Sequence, residues 1–128
     1  MQKSILLMED DYELSRIFST FLKAKGLNVD TFLNAKEALH YFSSNMDSFY
    51  IVLTDFKMEE INGLDFAKEV RRLGGNSVTI IILTGYSIYD IATEEEIANI
   101  VNRVIMIPVS LKSLYNILLG YLESRSRG

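Results

Sequence analysis

Ser4–Met8, Phe49–Leu53, Val78–Leu83 and Arg103–Ile107 are short, largely apolar blocks, while Leu27–Phe32 alternates Leu27, Val29 and Thr31 with Asn28 and Asp30. Solid blocks of this length suit strands buried on both faces, and alternation suits a strand at a sheet edge. The segments between them carry a helical period. Tyr12–Lys25 spaces Leu14, Ile17, Phe18, Phe21 and Leu22 along one face, and Gly26 closes it. Asn34 with Glu37 opens a helix holding Ala38, Leu39, Tyr41 and Phe42. Asn62-Gly63 is a turn before the helical pattern Leu64–Leu73, and Gly74-Gly75-Asn76 breaks the chain after it. Tyr86–Ile100 reads as a less regular helix with Glu94-Glu95-Glu96 as a solvated acidic patch. Ser110 can cap a last helix containing Leu111, Leu114, Ile117, Leu118 and Leu122.

Five strands alternating with five helices, joined by short connections and right-handed crossovers, give an α/β fold: a doubly wound parallel sheet covered on both faces. The 128 residues form one domain, taken as 1–123, followed by a short polar tail at 124–128. In a parallel sheet all strand carboxyl ends share one edge, where ligands bind. Glu9, Asp10 and Asp11 follow the first strand, Asp55 ends the third and Thr84 ends the fourth. These residues meet although distant in sequence.

Composition narrows the chemistry available at that edge. The chain has no cysteine and one histidine, which excludes disulfides, thiolate metal sites and His-rich metal sites. Its net charge of −4 and lack of a basic stripe argue against direct nucleic-acid binding. No apolar run reaches membrane length and no signal peptide precedes the first strand, so the cytoplasm is the expected address. Converging carboxylates repel one another, by about 4 kcal/mol per ionised pair at ~4 Å and an effective dielectric of ~20. A cation offsets that cost, and all-oxygen ligands suit Mg²⁺. A carboxylate beside such an ion is a nucleophile toward phosphorus, and a hydroxyl such as Thr84 can donate to a phosphoryl oxygen.

With SILLMEDD near the start, Asp55-Phe-Lys-Met and Asn62-Gly63 after the third strand, Leu83-Thr84-Gly85 after the fourth and Ile107-Pro108 after the fifth, the chain resembles receiver domains of bacterial two-component response regulators over essentially its whole length. The resemblance implies a flavodoxin-like three-layer α/β/α fold of strand order 2-1-3-4-5, with a cis bond before Pro108. It implies phosphorylation on Asp55 with Mg²⁺ held by Asp10, Asp55 and the main-chain carbonyl of Lys57, Glu9 acting through water. Thr84 becomes the switch hydroxyl, and the phosphoryl donor a histidine kinase or phosphotransfer protein. The protein is then not an enzyme; at most it assists its own phosphorylation and dephosphorylation. An unknown output protein or domain, and a homodimer, are further expected partners.

Three positions depart from the family pattern. Ile107 stands where a lysine usually precedes the proline, Val104 where an aromatic residue usually lies, and Glu59 where a proline follows Asp-x-x-Met. Ile107 and Val104 motivate an alternative, a pseudo-receiver that binds partners without being phosphorylated. Lys57 is a candidate substitute cation; its plain reading is a solvated loop lysine. Thr84 is also a candidate helix cap, and Asp11 caps the first helix. Tyr86, Ile88, Tyr89 and Ile91 read either as core or as partner-facing surface, and Tyr86 is placed to shield an acyl phosphate from water. An aspartyl-nucleophile phosphatase would want an acid at position 57, and a flavin-binding phosphate loop would not carry three acids after the first strand.

Overall fold

The computed structural model describes the backbone of residues 4–126 and the side chains of residues 4–124. The elements run β1 Ser4–Met8, α1 Tyr12–Ala24, β2 Val29–Phe32, α2 Ala35–Ser44, β3 Phe49–Asp55, α3 Gly63–Arg72, β4 Thr79–Thr84, α4 Glu94–Ile100, β5 Arg103–Met106 and α5 Leu111–Ser126. The strands form one parallel sheet in the order β2-β1-β3-β4-β5. The end of the polar tail, residues 127–128, lies outside the described residues, as do residues 1–3 ahead of the first strand.

Strand alternation divides the core into two layers. Leu6, Met8, Val52, Ile80 and Ile82 pack with Phe42, Phe66, Ala67, Val70 and Ile97 of α2, α3 and α4. Ile5, Leu7, Ile51, Leu53, Ile81 and Leu83 pack with Phe18, Leu22, Leu114 and Leu118 of α1 and α5. Every residue of β1 and β4 is buried, which explains their unbroken apolar sequence.

All five helices start on a side-chain cap. Asp11, Asn34, Asn62, Thr93 and Ser110 accept from the backbone N–H groups of Leu14, Glu37, Asp65, Glu96 and Ser113. At the end of α1, Gly26 takes φ 88° while its N–H and that of Leu27 bond back to Lys23 and Leu22. That closure delays β2 to Val29, two residues later than the alternation predicts. A larger difference lies between β4 and β5. Instead of one helix over Tyr86–Ile100, a single turn of 3₁₀ helix covers Ile88–Asp90, and α4 begins only after the Thr93 cap. Ile88 is buried, whereas Tyr86, Tyr89 and Ile91 are exposed, so the four residues divide between core and surface. The Ile107–Pro108 bond is cis.

Candidate functional site

Strand register builds the site. Met8 of β1 lies beside Thr54 of β3, and Asp55 lies beside Leu83 of β4. Glu9 follows Met8, and Asp55 and Thr84 end their strands, so the three fall together at the carboxyl edge, with Asp10 and Asp11 in the loop after β1. Glu9 is 2 % exposed, Thr84 is buried and Asp55 is half-buried. The Asp11 N–H donates to Glu9 Oε2 at 3.1 Å, and the Phe56 N–H donates to Asp55 Oδ1 at 2.9 Å.

The electrostatics follow from burial. Desolvation pushes the Glu9 carboxyl up to about 8, against the Asp11 N–H and with help from the charges of Asp55, Asp10 and Asp11. Desolvation also raises Asp55, with Asp10 adding to it, while the Phe56 N–H and a hydrogen bond with the Glu9 carboxyl oppose the rise. Among the described residues no ion pair relieves this cluster; Lys68–Asp65 and Arg72–Glu69 lie on α3.

The loop after β3 is fastened to the acids. The Glu59 N–H donates to Asp10 Oδ2 at 3.0 Å, across 49 positions of sequence. The loop's far end is closed by Gly63, whose N–H donates to Phe56 O at 2.7 Å. A Cβ at Gly63 would collide with the backbone oxygen of Asp55 and, at 2.9 Å, with Phe56 Cα. The glycine therefore lets the start of α3 press against the strand end that carries Asp55. Beside Asp10 opens a cavity of about 600 Å³, floored by Met8, Ala35 and Met58 and rimmed by Asp11, Lys57 and Glu60.

Thr84 makes a closed local turn: its hydroxyl donates to the Tyr86 carbonyl and accepts the Tyr86 N–H, both at 3.0 Å. No helix begins there, so Thr84 is not a helix cap, whereas Asp11 is one. Lys57 is exposed, and its ammonium donates to Tyr86 Oη at 3.3 Å with the Tyr86 ring centroid 5.4 Å away. It does not lie between Asp10 and Asp55 as a fixed counter-ion. Ile107 donates its N–H to Thr84 O at 2.9 Å, and its side chain faces Gly85.

Among the described residues no three His, Asp or Glu side chains form a ready-made metal cage. The donor set nonetheless fits Mg²⁺, which keeps several waters and takes one or two carboxylates rather than an all-protein shell. Asp10 and Asp55, without an ion-pairing partner among the described residues, are the carboxylates available for such an ion.

The profile of the response regulator receiver domain family matches residues 5–118. The chain belongs to this family. Relatives of this receiver domain include a "Transcriptional regulatory protein CpxR homolog" of Haemophilus influenzae, 36% identical over 80 residues that cover 62% of this chain and 33% of that protein. Another is the response regulator SaeR of Staphylococcus aureus, 32% identical over 68 residues, covering 53% of this chain and 28% of the relative. The receiver chain thus spans about a third of the length of such relatives. In fold it is similar to a response regulator receiver domain protein from Clostridium thermocellum, with TM-score 0.85 and 24% identity over 97% of both chains. It is also similar to TrrA of Thermotoga maritima in complex with Mg(2+)-BeF, with TM-score 0.78 and 26% identity, covering 94% of this chain and 99% of the other. The receiver domain is a module of two-component signal transduction.

Proposed function

We propose that Asp55 is the phosphoacceptor of this receiver domain, and that the donor is a phosphohistidine on a histidine kinase or phosphotransfer protein. The observation that carries this reading is the meeting of Glu9, Asp10 and Asp55 at one strand edge without a compensating cation among the described residues. An Asp55 carboxylate oxygen forms the new P–O bond as the donor's P–N bond breaks, and the electron pair of that bond returns to the imidazole nitrogen. Asp10, Asp55 and the main-chain carbonyl of Lys57 would hold Mg²⁺, with Glu9 reaching it through water. When bound, the ion supplies positive charge to the acids and to the phosphoryl oxygens. The relative TrrA, solved with Mg(2+)-BeF, supports that assignment. Thr84 would turn its hydroxyl from the Tyr86 carbonyl to a phosphoryl oxygen, releasing the turn that Tyr86 closes.

On this reading the chain is not an enzyme beyond promoting its own phosphorylation and dephosphorylation, and its signal passes to an output protein or domain. Among the described residues no helix is long and apolar enough to cross a membrane. The proposed setting is the cytoplasm, where a kinase's phosphohistidine is presented. Incubation with Mg²⁺ and acetyl phosphate, followed by intact mass, tests the assignment. One phosphoryl adduct is expected, absent without Mg²⁺ and absent in Asp55→Asn. An adduct that survives in Asp55→Asn sinks the assignment, and no adduct in the unaltered protein favours a binding module that works unphosphorylated.

A further inference from the structure

We infer that Lys57 is the cation that meets the phosphoryl group in this chain, reaching it from the β3 side of the cleft. The inference rests on the reading of Asp55 as phosphoacceptor. It starts from a charge imbalance. A phosphoryl group on Asp55 adds negative charge to an edge that already holds Glu9, Asp10 and Asp11. From the β5 side that edge is closed by Ile107, an aliphatic side chain against Gly85, bonded through its backbone to Thr84. At that position the chain offers an aliphatic side chain and no cation.

Among the described residues, Lys57 is the one cationic side chain lining the cavity beside Asp10. It stands two residues after Asp55, and its ammonium rests on Tyr86, two residues after Thr84. Because Asp55 lies beside Leu83 in the sheet, residues 57 and 86 follow neighbouring strand ends, and the Lys57–Tyr86 contact joins the two loops that leave the edge carrying Asp55 and Thr84. Tyr86 is held in turn, since both its N–H and its carbonyl bond to the Thr84 hydroxyl. The Tyr86 contact uses one of the three ammonium donors, leaving the others for phosphoryl oxygens. An exposed contact with a neutral phenol and a ring face is weaker than a charged hydrogen bond to a phosphoryl group, so the ammonium exchanges one partner for the other.

The test uses calorimetric titration of the intact chain with beryllofluoride in Mg²⁺, and with Mg²⁺ alone. Lys57→Ala and Lys57→Gln are expected to weaken beryllofluoride binding by roughly tenfold or more, the worth of one charged hydrogen bond. Lys57→Arg keeps most of the affinity, and adding Ile107→Lys to Lys57→Ala restores it from the opposite wall. With Mg²⁺ alone the sign reverses: Lys57→Ala binds the ion more tightly, because a like charge has gone. A merely structural lysine would not move the two affinities in opposite directions. If Lys57→Ala binds beryllofluoride within about twofold of the unaltered protein, or Lys57→Gln equals Lys57→Arg, the inference is overturned while the Asp55 assignment stands. If the unaltered protein binds no beryllofluoride and takes no phosphoryl group, both fall together.

Discussion

At the scale of single residues, Gly63 ties the fold to the site most directly. Its missing Cβ leaves room for the Asp55 carbonyl and Phe56 Cα, both backbone atoms that cannot swing aside. Gly63→Ala must displace the β3–α3 loop, at a cost of about 1–3 kcal/mol as for other overpacked sites. That displacement moves the Lys57 carbonyl as well, so Mg²⁺ affinity should fall with stability. Asn62→Ala provides the contrast. It removes the hydrogen bond to Asp65 N–H at 2.8 Å and should cost about 1 kcal/mol with little effect on Mg²⁺. Urea denaturation and a Mg²⁺ titration of both variants separate the two effects, and equal Mg²⁺ affinity in Gly63→Ala and the parent would count against the coupling. The sequence announces Asn62-Gly63 as a turn, but not that its glycine abuts Asp55. Likewise Lys57 is visible as a nearby cation, while its partner Tyr86 lies 29 positions away and no spacing rule pairs them.

Among the elements, the five strands and four of the helices were legible because buried blocks and capped amphipathic segments carry strong periods. The region after β4 was not. Tyr86 and Tyr89, three apart, and Ile91, three after the buried Ile88, have helical separations yet are exposed, so they imitate a core stripe. The true start of α4 was nonetheless written in Thr93 and Glu96, a capping pair at the usual separation, ahead of a first turn rich in acids. Arg71 is a second element-scale feature that sequence does not disclose. Its guanidinium bonds the carbonyls of Ile100, Gly75 and Val78 and the side chain of Asn102, while Asn102 Oδ1 accepts the Ile80 N–H. One side chain thereby fastens the end of α3, the entry to β4 and the end of α4. Burial lowers the guanidinium from its ordinary value, yet arginine stays charged in proteins. Arg71→Ala should cost about 2–3 kcal/mol, because carbonyls lose their donors away from solvent. Arg71→Lys should recover little, since a single ammonium cannot reproduce the planar fork. A urea midpoint for Arg71→Lys equal to that of the parent would show that the fork is not what matters.

For the molecule as a whole, the acidic edge links folding to proton binding, and to ion binding where Asp10 and Asp55 hold Mg²⁺ as proposed. The Glu9 carboxyl is raised from 4.5 to about 8 in the fold, so between these values the folded chain binds more protons than the unfolded one. The linked stability is therefore present in full below about 4.5 and is lost as pH rises through about 8. Asp55, raised in the same direction, adds to the loss, and Asp10 and Asp11 face the same edge. In chelator, the urea midpoint should fall steadily across that window, and Glu9→Gln should flatten most of the fall. Mg²⁺ reverses the sign at the alkaline end, because an ion that binds only the folded state with deprotonated acids stabilises it by RT ln(1 + [L]/Kd). At a hundredfold excess over Kd that amounts to about 2.7 kcal/mol. The Mg²⁺-induced gain should consequently grow from pH 6 to pH 8, roughly as the proton of Glu9 leaves. Asp10→Asn should abolish the gain, since it removes one of the two carboxylates assigned to the ion. A gain that is flat with pH, or that persists in Asp10→Asn, would place the ion away from these acids and separate the cost of burying them from any role in phosphoryl transfer.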